Sequence, residues 1–298
     1  MARRRRGNPV HGWVVLDKPR EMTSTEAVSR VRRAFEAAKA GHAGTLDPLA
    51  TGVLPIALGE ATKVVAMVMD STKRYRFTLR WGEERDTDDV EGAVTATCGR
   101  RPDEAAVEAV LPAFLGDVEQ VPPTYSAIKV AGERAYDLAR DGRPPDLAPR
   151  LVRIDALRLL AMPDRDHAVF EMTCGRGAYV RSLARDLGRR LDCLGHVSEL
   201  RRTAVGAFTE ARAIPLDKLD ELRHKGALEQ ALLPVETALA DIPALAVTGA
   251  EADRLKCGQA IRVPHKVEGT VYTTTGGRPV ALARASAGEV RPVRVFNL

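Results

Sequence analysis

The feature that most constrains this chain is the Gly-rich stretch at residues 41–54, GHAGTLDPLATGVL, which places one His and one Asp among three glycines. Glycine permits backbone angles and close approaches that other residues forbid. Pro48 fixes its own φ and favours an extended conformation at the preceding Asp47. The stretch therefore predicts a shaped loop that presents Asp47, although such a sequence alone is more typical of an ordinary turn or helix cap.

Two common ligand-binding loops are excluded by the same residues. No Gly-Lys-Ser/Thr follows the glycines, so the stretch is not a Walker-type phosphate loop. The G-x-G-x-x-G spacing is also missing, which excludes a dinucleotide fingerprint. The chemistry of the loop thus depends on what the rest of the chain supplies.

Length and composition limit the class of protein. The 298 residues are enough for two domains, and no apolar run is long enough to span a membrane. The four cysteines are scattered without a C-x-x-C pair, which argues against a zinc site or a disulfide framework and favours a cytoplasmic protein. The net charge of +5 favours a polyanionic partner, whereas an aromatic content of 4% disfavours binding of single strands by repeated stacking.

The hydrophobic pattern predicts an α+β organisation. Residues 1–9 read as a disordered basic tail, residues 10–240 as one domain with an insertion at 121–153, and residues 244–298 as a small β-barrel. Strands are predicted at 13–17, 73–81, 168–174, 260–263, 270–274, 279–284 and 290–295, and an apolar run lies at 53–58. Helices are predicted after a Thr23/Glu26 capping pattern and at 60–69, 103–115, 133–140, 178–191 and 228–239.

Four blocks of the sequence together resemble the TruB family of bacterial tRNA pseudouridine-55 synthases. They are LDKPREMTS at 16–24, the loop at 41–52 continued by GEATK at 59–63, KRY at 73–75 with VPPTYSAIKVAGERAY at 121–136, and CGRGAYVR at 174–181 with HVSELRR at 196–202. The family usually has Gly where this chain has Glu21. The resemblance covers nearly the whole chain, and four blocks in this order are highly specific.

The resemblance implies a fold and a reaction. The expected fold is a mixed, mainly antiparallel sheet with flanking helices, followed by a C-terminal β-barrel similar to the PUA RNA-binding domain. The expected reaction converts uridine to pseudouridine in the T-arm of tRNA. Because this isomerisation conserves the atoms of the nucleotide, it needs neither a metal nor a cofactor.

Specific residues carry the roles that the resemblance implies. Asp47 is the catalytic carboxylate, either as a nucleophile at C1′ or as a base at C2′, and Arg181 is its partner. Tyr75 stacks on the target base and Leu200 lines the other side of its pocket. Further substrate-binding candidates are His42, Gly44, Lys63 and Lys129. Candidate phosphate contacts are the arginines of the insertion and the helix face that bears Arg185 and Arg189.

Other functions stay open at this point. A non-catalytic RNA-binding protein or tRNA folding chaperone would share the RNA-binding features. A guide-RNA-dependent synthase would need partner proteins, whereas the long 121–153 segment favours an enzyme that acts alone, as a monomer. A glycoside or nucleoside hydrolase would usually require two catalytic carboxylates, and the motifs supply one.

Overall fold

The structure is a computed structural model that describes residues 7–130, 132–264 and 267–298. In chain order, its strands are β1 Gly12–Lys18, β2 Ala40–His42, β3 Thr51–Leu58, β4 Lys73–Trp81, β5 Glu83–Arg85, β6 Val94–Thr97, β7 Gly116–Gln120, β8 Lys129–Val130, β9 Glu133–Arg134, β10 Arg150–Asp164, β11 His167–Cys174, β12 Gly195–Val205, β13 Phe208–Thr209, β14 Ala244–Ala246, β15 Ile261–Arg262, β16 Gly269–Thr275, β17 Arg278–Ser286 and β18 Glu289–Val295.

In the described part of the chain, the helices are less numerous than the strands. The α-helices are α1 Ser24–Ala34, α2 Val65–Asp70, α3 Glu104–Val110, α4 Ala135–Arg140, α5 Val180–Arg190, α6 Leu216–His224 and α7 Gly249–Lys256. Short 3₁₀ helices lie at Gly59–Lys63, Leu111–Phe114, Glu210–Arg212, Leu228–Ala231 and Val235–Leu239. None of these helices is long and apolar enough to cross a membrane.

One large sheet forms the body of the molecule, in the order β1-β3-β12-β4-β11-β10-β7. Among the described strands, the pairing is antiparallel at every step of this order except between β3 and β12, which run parallel. This confirms the predicted mixed, mainly antiparallel sheet. The helices α1, α5 and α6 pack against its strands, and the main apolar core lies between them.

Strand β4 shows why the sequence folds in this way. Its apolar side chains alternate with basic ones, so Phe77 and Leu79 are buried while Arg74 and Arg76 face solvent. The ring of Phe77 stacks on that of Phe170 in the neighbouring strand β11. The period-two pattern therefore fixes both the strand and the face that it turns towards the core.

Some predicted helices are interrupted. The segment 60–69 is a 3₁₀ helix followed by α2, and 103–115 is α3 followed by a 3₁₀ turn that contains Pro112. The predicted helix at 228–239 is wrong: Pro234 separates two 3₁₀ turns, because proline cannot donate an intrahelical hydrogen bond. Helix α1 begins as predicted, with the Thr23 hydroxyl accepting from the Glu26 amide at 3.1 Å.

The C-terminal segment folds as a second sheet, in the order β14-β16-β17-β18-β15. The four predicted strands are present, and the sheet is curled into a half-barrel with α7 packed against it. Phe296 and Leu282 of this segment belong to the same apolar cluster as Trp13 and Val15 of β1. The two sheets therefore share a core.

Two predicted boundaries, that of the N-terminal tail and that of the 121–153 insertion, differ in detail from the structure. Residues 1–6 of the predicted basic tail lie outside the described residues. The Asn8 amide donates to Glu36 and its carbonyl accepts from Ala38, so Asn8 is already bonded to the first domain, although it falls within the predicted tail. Within the 121–153 insertion, residues 150–153 already belong to strand β10 of the main sheet.

Candidate active site

A cavity of about 270 Å³ opens where the 41–54 loop meets the first turn of α5. Most of the predicted site residues line it, namely Gly44, Asp47, Tyr75, Arg181 and Leu200. Its wall is completed by Thr45, Leu46, Met69, Lys73, Ser126, Ala127, residues 175–180 and Arg202. The structure thus brings together residues from five separate parts of the sequence.

An ion pair between Asp47 and Arg181 lies on the cavity wall. Nε of Arg181 is 2.9 Å from Oδ2 of Asp47, although its N–H is not directed at the carboxylate as a hydrogen bond requires. The Arg181 side chain is only 5% exposed, whereas that of Asp47 is 35% exposed. The cation is therefore fixed in the protein and the carboxylate is accessible to a substrate.

The remaining Arg181 nitrogens are anchored on two loops that sequence reasoning did not connect to the site. Nη1 donates to the Thr87 carbonyl and Nη2 to the Tyr125 carbonyl, each at 2.9 Å. Nη1 also lies 3.4 Å from Oδ2 of Asp89. The guanidinium fork therefore has one defined orientation, which a lysine could not reproduce.

Asp89 is a second carboxylate on Arg181 and was missed by the sequence analysis. It accepts hydrogen bonds from the Thr87 hydroxyl at 2.6 Å and the Glu91 amide at 3.0 Å. Burial raises its pKa, against the opposing effects of Thr87 and Arg181. The acidic, turn-rich composition of residues 83–92 was the available signal, but nothing in it pointed to Arg181.

Lys18 fixes the other side of the loop. Its buried ammonium donates to the carbonyls of Pro19 and Met22 at 2.8 Å and to that of Pro48 at 3.3 Å. Burial lowers the pKa of Lys18 to about 8, while the negative charge of Asp47 opposes this shift. Lys18 is the last residue of β1, as predicted, and it also holds the residue that follows Asp47.

Tyr75 and Leu200 supply an apolar surface beside the ion pair. Tyr75 shares the inward face of β4 with Phe77, and Leu200 of β12 lies opposite Phe77 in the ladder. Burial raises the pKa of Tyr75, so its phenol is neutral at physiological pH. A flat aromatic ring and an aliphatic side chain thus face the same cavity as Asp47.

Three predicted substrate-binding residues are not brought to the cavity wall. His42 ends β2, and its Nδ1 is buried with no hydrogen-bond partner in the described part of the chain. Lys129 lies exposed on β8 of the insertion. Lys63 pairs with Glu60 at 2.5 Å and donates to the Val295 carbonyl at 2.7 Å, so it joins the two sheets.

Two of the candidate phosphate contacts on α5 are also occupied within the protein. Nη1 of Arg185 pairs with Asp88 at 3.0 Å, and Nε of Arg189 pairs with Glu84 at 2.9 Å. Arg185 is buried, so it is not available to RNA in this structure. In the described ranges, no group of three or more His, Cys, Asp and Glu side chains is arranged to hold a metal ion.

Comparison with known families identifies the family to which this chain belongs. Residues 32–180 match the profile of the TruB family pseudouridylate synthase N-terminal domain, and residues 181–240 match that of the tRNA pseudouridylate synthase B C-terminal domain. The chain therefore belongs to the TruB family of pseudouridylate synthases, which confirms the resemblance found in the four sequence blocks.

Curated relatives agree over the whole chain. The tRNA pseudouridine synthase B of Bradyrhizobium diazoefficiens is 60% identical over 304 residues, covering 99% of this chain and 88% of the relative. The protein of the same name from Caulobacter vibrioides is 56% identical over 309 residues, covering 100% of both chains.

Solved structures share the fold. A chain of a Cbf5-Nop10-Gar1 complex superposes with a TM-score of 0.72 at 26% identity, covering 96% of this chain and 83% of that one. A chain of an H/ACA RNP bound to a substrate RNA containing 2′-deoxyuridine superposes with a TM-score of 0.75 at 24% identity, covering 100% and 92%. The second similarity supports the α+β fold alone.

Proposed function

We propose that this chain isomerises uridine to pseudouridine at position 55, in the T-loop of tRNA, with no metal or cofactor. The observation that carries the proposal is the accessible Asp47 carboxylate, held against a buried Arg181 beside Tyr75 and Leu200. The relatives named tRNA pseudouridine synthase B, at 56% and 60% identity, support tRNA as the substrate.

The chemistry requires one carboxylate and a fixed cation. The N1–C1′ bond breaks and its electron pair passes to the uracil ring, which turns so that C5 bonds to C1′. C5 then loses its proton and N1 gains one, so the atoms of the nucleotide are conserved. Asp47 acts as the nucleophile at C1′ or as the base at C2′, and Arg181 orients it.

The target base must leave the RNA stack to reach Asp47. Extrusion of a base costs a few kcal/mol, and enzymes of this kind recover it through a fitted pocket. The cavity offers the Tyr75 ring for stacking and Leu200 on its other side. Tyr75 is also well placed to assist removal of the C5 proton, because it shares the cavity wall with Asp47.

RNA contacts outside the cavity are assigned to two further parts of the chain. In the 121–153 insertion, Lys129 is exposed and the Arg140 guanidinium lies 4.5 Å from the centre of the Tyr136 ring. In the PUA-like unit at 244–298, Arg254, Arg262 and Arg291 line a cleft of about 640 Å³ beside α7, together with Glu251 and with Glu289, which pairs with Arg291. Cationic side chains of this kind neutralise phosphates.

The alternatives are less well supported. A hydrolase would need a second catalytic carboxylate, but Asp89 is only 2% exposed and is absent from the described cavity wall. The guide-RNP proteins are 24% and 26% identical, far below the tRNA synthases. We therefore propose an enzyme that acts alone, as a monomer.

The test is incubation of the purified chain with an unmodified tRNA transcript, without guide RNA, partner protein or nucleotide. We expect pseudouridine at position 55 by base-resolved sequencing, and none in a matched transcript with cytidine at that position. Release of free uracil would favour a hydrolase. RNA binding without isomerisation, or isomerisation only with a guide RNA, would also contradict the proposal.

A further inference from the structure

Arg202 is a buried cation at the back of the cavity that the proposed chemistry has not used. It lies on β12, is 1% exposed, and donates hydrogen bonds to three backbone carbonyls. Nε donates to Val53 at 2.8 Å, Nη1 to Thr45 at 3.3 Å and Nη2 to Gly44 at 3.1 Å. The last two acceptors precede Asp47 in the same loop.

The neighbouring arginine shows how unusual this environment is. Arg201 is 35% exposed at its side chain and pairs with both Asp17 and Glu210. Arg202 makes no ion pair within the described residues. Burying a charge without a carboxylate is costly unless its donors are satisfied, and burial accordingly lowers the pKa of Arg202.

The cost of burying this charge is consistent with a role that an apolar side chain could not fill, namely the donation of hydrogen bonds to the loop. The planar guanidinium reaches three carbonyls from one centre, two of them on consecutive residues of the catalytic loop. Gly44 has a φ of +109°, a conformation that other residues rarely adopt, so this turn is held in a special shape. Arg202 therefore binds the loop at Gly44, where the backbone has a conformation that few other residues can adopt.

The same side chain faces Tyr75. The two residues are directly opposed in the β12–β4 ladder and both line the cavity. The positive charge of Arg202 opposes the upward effect of burial on the pKa of Tyr75, and it adds to burial in lowering the pKa of His42. One guanidinium is thus adjacent to the loop of Asp47 and to the stacking ring.

We propose that Arg202 is a positioning residue for the isomerisation. Its guanidinium fork, which donates to three carbonyls, holds residues 44–45, so that Asp47 lies against Arg181 and beside a flipped base stacked on Tyr75. This inference rests on the proposed function. It predicts that the geometry of the fork matters and that charge alone does not suffice, because one lysine ammonium cannot donate to the same three carbonyls from one plane.

The test compares Arg202→Lys and Arg202→Met with Arg201→Met, a matched control from the adjacent position. We expect both Arg202 variants to lose about 100-fold in single-turnover rate at saturating tRNA, since displacement by about 1 Å costs this much. Their tRNA affinity should stay near that of the wild type, and Arg201→Met should keep its rate. Near wild-type rates in Arg202→Lys would overturn the inference.

A second variant approaches the same contact from the loop. Gly44→Ala strains the backbone at the Arg202 acceptor, so it should lower the single-turnover rate at saturating tRNA even if both Arg202 variants fail to fold. In folded variants, Gly44→Ala and Arg202→Lys should be strongly non-additive, because they break one contact. Additive losses, or a wild-type rate in Gly44→Ala, would contradict the inference. A wild-type chain that makes no pseudouridine would instead contradict the proposed function.

Discussion

Helix α5 carries two arginine–aspartate pairs one turn apart, and they differ clearly in the exposure of the carboxylate. The Arg181–Asp47 distance is 2.9 Å and the Arg185–Asp88 distance is 3.0 Å, and both arginines are less than 10% exposed. The carboxylate of the first pair is 35% exposed and that of the second 8%. We call them the open pair and the closed pair. Under the proposed function, access to the carboxylate separates the reactive Asp47 from the structural Asp88.

The closed pair shows what burial does to the same chemistry. Arg185 also donates to the Val121 carbonyl at 2.9 Å and pairs with Asp186 at 2.9 Å. Burial raises the pKa of Asp88 to about 6, although Arg185 and Arg181 both act to lower it. The closed pair therefore ties the 83–92 loop to α5, and through that loop it positions Thr87 and Asp89 around the open pair.

The largest effect is expected for Asp47→Asn, which removes the charge of the open pair while keeping the size of the side chain. Turnover should fall by about 10⁴-fold with tRNA affinity nearly intact, because the lost interaction acts in the transition state. The control is Asp88→Asn, whose folded fraction should keep its turnover within about tenfold, since Asp88 is buried and is absent from the described cavity wall. Equal losses of turnover in both variants would show that the open pair and the closed pair do not differ in their role in the reaction.

Arg181→Lys should be the next most damaging. The charge stays, but the fork that holds the Thr87 and Tyr125 carbonyls is lost. The single-turnover rate should fall by about 10²- to 10³-fold, without a comparable loss of affinity. Rapid-quench measurement with tritium release from C5 gives this rate directly. A lysine variant that works as well as the wild type would show that charge alone is required at the open pair.

Arg185→Met probes the closed pair through stability. It leaves a buried carboxylate without its partner, which typically costs about 3–5 kcal/mol. The free energy of unfolding, measured by urea titration at pH 8 where Asp88 is ionised, should fall by this amount. Folded enzyme, kept in excess by osmolyte, should retain its turnover. A loss of turnover with unchanged stability would assign Arg185 to the reaction instead.

The smallest effect is a pH dependence of stability. Because the pKa of Asp88 is raised in the folded state, its protonation stabilises the fold below about pH 4 and this contribution is lost as the pH rises through 6. The stability of the wild type relative to Asp88→Asn should thus fall between pH 4 and 7, by at most about 3 kcal/mol. Urea unfolding at both pH values checks the sign. A flat or rising difference would contradict the assigned burial effect.

The sequence predicted the parts of the fold that follow a clear pattern. Strands β1, β4 and β11 and helix α5 were expected from their apolar spacing, and the meeting of Asp47 with Arg181 from the family motifs. Strand β12 was not assigned, because His196 and Arg202 occupy inward positions and hide the alternation of apolar residues. A polar residue in the core cannot be told from a surface residue without its partners.

Other misses have different causes. Helix α7 begins with a capping box in which Thr248 and Glu251 satisfy each other's backbone amides, and this Thr-x-x-Glu signature was readable in the sequence. The acceptors of Arg181, by contrast, are the backbone carbonyls of Thr87 and Tyr125. Every residue has a carbonyl, so side-chain identity gives no signal for such contacts. Lys63 was assigned to RNA for its charge alone.

The position of β12 has a consequence for the order in which the protein is made. This strand pairs with both β3 and β4, although more than a hundred residues separate it from them in the chain. During synthesis, β3 and β4 therefore expose unpaired edges until the ribosome has delivered residues 195–205, a state that favours aggregation and chaperone binding. Arg202 arrives on that same strand, so the loop of Asp47 receives its anchor only when the sheet closes. Under the proposed function, the chain becomes competent only after β12 has joined the sheet, and a nascent chain that stops short of β12 has the loop of Asp47 but neither Leu200 nor Arg202 of the cavity wall.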